Sequence, residues 1–306
     1  MLIRCFEKIN RNAMRSLVSL VAFLFLSVPV FSQAKSFNYE KEKRRYIIYL
    51  PNAYHAKADI NFPIVFNFHG GGMTMTEQMF YTGMNKRSDK NELIVVYPQG
   101  IGQDWNIGFG MSYKNGTNDV GFVNALLDSL TREYRIDKRR VYATGLSRGG
   151  FFTNRLAAEL PERFSAIASI GAPLPDSVTV FHKNRMPVSV MSIHGTADSI
   201  VKFNGKENSY FSAEETYQYW NKHNNIETSA EETETIDNLK NDSTSVNIRT
   251  KTQNGISGSL VTISNGGHTW PGRHPFNIGF PLGETTQEID INEILWKFFS
   301  SHTNLN

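Results

Sequence analysis

Cysteine is almost missing from this chain. The 306 residues contain one, Cys5, placed ahead of an apolar run and not after it. A disulfide framework, a thiolate metal site, thiol catalysis and lipid attachment after that run therefore all lack their residues. A surplus of one charge is missing too: 32 Lys and Arg face 29 Asp and Glu, a net charge of +3. The tight basic clusters, Lys41 to Arg45 and Lys138 to Arg140, are too short to track a phosphate backbone. They read as solvated charge, and no nucleic-acid partner is expected. No H-E-x-x-H or comparable spacing suggests a metal, and no G-K-[ST] follows the glycines at 70–72 to make a phosphate loop. Neither metal nor cofactor is expected. Linkers rich in Pro, Ser and Gly, internal repeats and low-complexity tracts are absent as well.

Long hydrophobic runs are scarce. The single one, Leu17 to Phe31, follows Arg4, Lys8, Arg11 and Arg15 and precedes Ser32, Gln33 and Ala34. It is short for a membrane span and has the basic flank and small-residue exit of a secretory signal. Residues 1–33 are therefore expected to be a signal peptide, with 34–306 as one domain, secreted to the periplasm or the medium and free of the membrane after cleavage. The competing reading is an uncleaved anchor.

What is abundant is apolar and aromatic sequence, 40% and 12% of residues, enough for one sizeable core. Pro63 to Phe68 and Leu93 to Tyr97 are nearly continuous apolar runs, which suit strands buried on both faces of a parallel sheet. Arg45 to Leu50, Val141 to Thr144, Val188 to Ile193 and Leu260 to Ser264 are further strands. Between them lie helical patterns. One is capped by Asp119 and carries Phe122, Val123, Leu126, Leu127 and Leu130. Others open near Gly149, at Ala213 to His223 and at Glu288 to Phe299. Alternating strands and helices predict an α/β fold with a mostly parallel central sheet flanked by helices. The polar stretch 227–252 reads as a surface excursion or edge hairpin.

Gly145-Leu146-Ser147-Arg148-Gly149 matches G-x-S-x-G between a strand and a helix. That is the setting of a nucleophile elbow, where a sharp turn lifts a serine hydroxyl above the sheet. A hydroxyl needs a base. His268 is the best placed, in Asn265-Gly266-Gly267-His268-Thr269-Trp270-Pro271-Gly272, just past a strand. His69 and His194 each precede a glycine at a strand end and read as structural. The imidazole needs an orienting acid. Asp198, in His194-Gly195-Thr196-Ala197-Asp198, fits the chain order Ser–Asp–His of α/β-hydrolases; Asp176 is an alternative. Oxyanion donors are expected from the Arg148 amide and from Gly71 and Gly72 of His69-Gly70-Gly71-Gly72-Met73.

With these blocks, together with Tyr97-Pro98-Gln99-Gly100, Trp105-Asn106, Asn118-Asp119-Val120-Gly121-Phe122 and Arg140 to Gly145, the chain resembles the esterase/polyhydroxybutyrate-depolymerase family. That family includes secreted feruloyl and acetylxylan esterases of carbohydrate esterase family 1. The resemblance runs from about Arg45 to His302. It implies an α/β-hydrolase with Ser147 as nucleophile, Asp198 as acid and His268 as base, cleaving carboxylic esters. Soluble esters or ester groups on plant polysaccharides are expected ahead of solid polyester, since no substrate-binding domain is appended; polyester depolymerisation is the alternative. A peptidase and an inactive binding protein on the same scaffold are the other readings. The family often has Asn after the serine, so Arg148 is expected either to add positive charge at the site mouth or to point to solvent. Trp105 and Trp270 are candidates for a substrate platform, because aromatic faces pack on sugars and phenolic acids.

Overall fold

The structure, a computed structural model, describes residues 32–238, 243–274 and 281–304. In chain order the elements are β1 (Ser32–Tyr39), β2 (Glu42–Tyr49), α1 (Ala53–Ala56), β3 (Phe62–Phe68), α2 (Met75–Thr82), α3 (Asn85–Asn91), β4 (Ile94–Pro98), α4 (Asp119–Glu133), β5 (Ile136–Leu146), α5 (Arg148–Glu159), β6 (Ala166–Ile170), α6 (Asp176–Phe181), β7 (Ser189–Gly195), α7 (Ala213–His223), β8 (Glu231–Ile236), β9 (Ser245–Gln253), β10 (Ile256–Ser264) and α8 (Ile291–Ser300). The expected signal segment lies outside the described residues except for Ser32 and Gln33, which open β1. No described helix is long and apolar enough to cross a membrane.

All ten strands form one sheet in the order β1-β2-β4-β3-β5-β6-β7-β10-β9-β8. Its six middle strands, β4 to β10 in that order, are parallel, and antiparallel strands close it on both sides. The continuous apolar runs become the middle strands: every residue of β3, β4, β6 and β7 is buried. Layers of helix on both faces explain why these strands do not alternate with polar residues. On one face Phe66 and Phe68 of β3 pack with Phe122 and Leu126 of α4, Phe152 and Leu156 of α5 and Trp220 of α7. On the other, Val65, Tyr142, Met191 and Val261 meet Met79 of α2 and Leu295 and Phe299 of α8. Each such side chain contributes roughly 1.5–3 kcal/mol by leaving water. The stretch read as an excursion or hairpin is β8 and β9, paired antiparallel at the sheet edge.

One helix start departs from expectation. The cap of α4 is Asn118, whose side chain accepts the Gly121 amide at 3.1 Å. Asp119 already belongs to the helix, and its buried carboxylate instead accepts from Arg44 at 2.7 Å, Thr117 at 2.7 Å and the Asn106 amide at 2.8 Å. This ion pair ties β2 to the start of α4 and to the segment after β4.

Candidate active site

The carboxyl ends of neighbouring parallel strands carry the expected chemistry, where α/β sheets generally place their sites. Ser147 lies between β5 and α5 with φ 53° and ψ −120°. A non-glycine residue held there stores about 1–3 kcal/mol of strain. Its amide donates to the Ile170 carbonyl at the end of β6, 2.8 Å away. The turn is possible because nothing projects from Gly149: a Cβ there would lie 2.2 Å from the Phe68 carbonyl oxygen.

His268 and Asp198 come from the loops after β10 and β7, which are adjacent and parallel. Those loops are stitched together by Thr196 N–H to the Ile263 carbonyl (2.9 Å) and Ala197 N–H to the Gly266 carbonyl (3.0 Å). His268 Nδ1 lies 2.6 Å from Asp198 Oδ2. The other carboxylate oxygen accepts the Ile200 and Val201 amides at 2.9 and 2.8 Å. Burial alone would raise the Asp198 pKa. Hydrogen bonds from His194 and His268 outweigh it and hold the carboxyl well below the usual range. A charged carboxylate can only accept, so Nδ1 carries the proton and Nε2 of His268 is left as the free base. Among the described residues no hydrogen bond joins Ser147 Oγ to His268. The two are neighbours through residues 170 and 171: Ile170 holds the Ser147 amide, and a Cβ on Gly171 would lie 3.0 Å from His268 Nδ1. Catalytic contacts are often long before substrate binds. Asp176, the alternative acid, opens the short helix α6 and bonds no histidine among the described residues.

The glycine loop after β3 is a tight turn closed by Met73 N–H to the Gly70 carbonyl at 3.1 Å, with Gly72 at φ 76°. This geometry removes one of the three expected donors. The Gly72 amide is turned away and donates to the Gln103 carbonyl at 2.9 Å. The Gly71 and Arg148 amides have no partner among the described residues, and the two residues touch: a Cβ on Gly71 would lie 2.8 Å from Arg148 Cγ. His69 supports the turn, as its structural reading requires. Its Nε2 accepts the Gly100 amide at 2.9 Å, so Nδ1 bears the proton and donates to the Gly70 carbonyl at 2.8 Å. Burial lowers its pKa to about 4.

Both candidate platform residues are corrected. Trp105 is fully buried, stacked on Phe152 at 5.1 Å, with its indole N–H donated to the His69 carbonyl at 3.0 Å. Trp270 is fully buried and donates to Asn292 of α8 at 3.0 Å. Sequence proximity to His268 misled because the chain turns inward immediately after it. Arg148 neither faces solvent freely nor offers an open charge. Its guanidinium grips Asp104 in a fork at 2.5 and 2.8 Å. Two contacts lie outside the sequence reading: this fork, which had no signal there, and His194 Nε2, which lies 2.8 Å from the Val201 carbonyl and 3.2 Å from Asp198 Oδ2. The signal for the second was the four-residue spacing of His194 and Asp198 across one strand end.

With the geometry in place, the family described as "Putative esterase" matches residues 38–271. The chain belongs to this esterase family. A "Putative esterase NocK" of Nocardia uniformis subsp. tsuyamanensis is 29% identical over 227 residues, 69% of this chain and 66% of that protein. A bifunctional acetylxylan esterase/xylanase, XynS20E of Neocallimastix patriciarum, is 31% identical over 145 residues, 47% of this chain and 20% of that protein. The esterase-family chain thus spans less than two thirds of the length of these relatives. The solved acetyl xylan esterase from Aspergillus awamori is similar over 88% of this chain and 99% of its own, with a TM-score of 0.64 at 16% identity. That likeness carries the fold, an α/β-hydrolase.

Proposed function

We propose that this member of the esterase family is a secreted serine hydrolase of carboxylic esters, with Ser147 as nucleophile, His268 as base and Asp198 as the orienting acid. One observation carries the reading. The His268–Asp198 pair at 2.6 Å lies against Gly171, next in the chain to the Ile170 carbonyl that holds the amide of a serine in the strained elbow conformation. Ser147 Oγ would attack the ester carbonyl while its proton passes to His268 Nε2. The same proton is then given to the leaving alcohol, and water activated by the imidazole releases the acid. The Gly71 and Arg148 amides, both without partners among the described residues, would receive the oxyanion. Export rests on residues 1–33.

The acetylxylan esterase among the relatives favours acetyl groups on plant polysaccharide as substrates, and the family resemblance adds feruloyl groups; small hydroxyalkanoate esters are the second choice. With Trp105 and Trp270 buried, neither serves as a sugar platform, so recognition would rest on the ester itself and its acyl group. Ser147→Ala is expected to abolish p-nitrophenyl acetate hydrolysis and fluorophosphonate labelling in a protein that melts as the wild type does. Wild-type turnover by that variant, or a native protein that no fluorophosphonate labels, would sink the reading. A panel of feruloyl, acetyl-xylan and hydroxyalkanoate esters then ranks the substrates.

A further inference from the structure

The two amides assigned to the oxyanion sit on separate segments, and among the described residues neither is fixed by a hydrogen bond of its own. Something else must hold their spacing. The segment after β4 touches both. On the glycine-loop side, Gly100 N–H donates to His69 Nε2 (2.9 Å), Trp105 Nε1–H to the His69 carbonyl (3.0 Å), and the Gln103 carbonyl accepts the Gly72 amide (2.9 Å). On the elbow side the Arg148 guanidinium meets Asp104 through Nε at 2.5 Å and Nη2 at 2.8 Å. It also donates to the Trp105 carbonyl at 3.2 Å and the Phe109 carbonyl at 3.3 Å. The guanidinium lies over the Phe109 ring, 5.5 Å from its centre. On its way the Arg148 stem crosses Gly71 so closely that a Cβ would be 2.8 Å from Cγ. Ordinary solvent-facing arginine needs none of these contacts.

We infer that the Asp104–Arg148 pair is a positioning clamp for the oxyanion hole. Its fork fixes the Arg148 side chain, whose stem sets where Gly71 stands relative to the Arg148 amide. A bidentate guanidinium–carboxylate pair supplies the directional rigidity that one ammonium contact lacks. The pair also neutralises the cation beside the nucleophile, so the arginine is used for geometry and not for attracting anionic substrate. The inference rests on the proposed Ser147 mechanism. Neither Asp104 nor the guanidinium touches the reacting atoms.

The test uses Asp104→Asn, Arg148→Lys and Asp104→Glu in the full chain, with an aryl acetate and the matching aryl thionoacetate. Sulfur is larger than oxygen and accepts hydrogen bonds poorly, so a well-set oxyanion hole favours the oxygen ester. Asp104→Asn and Arg148→Lys are expected to lower kcat for the acetate about tenfold to a hundredfold, the scale of a misplaced or lost donor. KM should stay within about threefold, and the oxygen-over-sulfur preference should shrink. Fluorophosphonate should still label Ser147, and Asp104→Glu, which keeps a forked carboxylate, should recover most of kcat. Unchanged kcat and unchanged preference in either folded variant overturns the clamp. So does an equal loss on both esters, which marks a general structural defect, and if Arg148→Lys does not fold, Asp104→Asn decides alone. Ser147→Ala separates the two ideas: if it keeps turnover, the mechanism itself is wrong. If it is dead while Asp104→Asn is fully active, only the clamp fails.

Discussion

Asp198 accepts from the His268 imidazole and two backbone amides and has a second imidazole, His194, 3.2 Å away, and its partners are not equal. His268 at 2.6 Å is the one whose orientation the mechanism needs; His194 at 3.2 Å supports from the side. A graded outcome is expected. Asp198→Asn should lower kcat by about 10⁴, because an amide can stabilise the wrong imidazole tautomer. His194→Leu should lower it only about tenfold, near the value of one hydrogen bond to a charge. Steady-state kinetics of both variants check this, and equal losses would mean that His194 does more than support. At this scale the sequence was legible where chemistry forces a residue type. Motif and chain order point to Ser147, Asp198 and His268, and the last two lie in contact. Trp105, Trp270, Gly72 and the Arg148 side chain were misread, because their fates depend on which way a loop turns. Composition and spacing do not encode the Gly72 amide's bond to Gln103 or the inward turn after His268.

Strands and helices were more legible than the contacts between them. Continuous apolar runs mark β3 and β4, since strands buried on both faces need few polar residues. The edge strands were harder. Glu231–Ile236 alternates Glu with Thr and is almost wholly exposed, so it carries no hydrophobic period, while β1 was hidden beside the expected signal segment. The elbow between β5 and α5 is the element under strain, and its cost should be measurable. Ser147→Gly removes the side chain that disfavours φ 53°. The strain relieved, about 1–3 kcal/mol, exceeds the chain entropy glycine adds, about 0.5–1 kcal/mol. The variant should therefore be inactive yet about 1 kcal/mol more stable by urea denaturation. A loss of stability would mean that the serine side chain is held by more than the turn.

Over the whole molecule, folding buries histidines in neutral form. Burial pushes His69 and His182 down to about 4, and lowers His223 and His302 as well. Above the ordinary value of 6.5 both folded and unfolded chains leave them uncharged, and this stabilising balance is fully present. Between 6.5 and about 4 the unfolded chain takes up protons that the folded chain refuses, so stability falls with pH and levels out below that window. For the fully buried His69 the limit is about 3 kcal/mol; half-buried His182 adds less. Asp198 does not confuse the measurement, because its depressed carboxyl loses stability only at more acid pH. Urea midpoints should hold from pH 7.5 to about 6.5 and decline from there to 4.5, and a series flat throughout would show that these imidazoles accept protons inside the fold.

The sheet also has to stop somewhere. Its outermost strand, β8, faces water with Glu232 and Glu234 on an open ladder of backbone donors and acceptors. A second copy arriving edge to edge would bring the same carboxylates against their own kind. The hairpin thus works as a fender: acidic side chains guard the rim, so the open flank of a ten-stranded sheet does not become a seam along which molecules join into fibres.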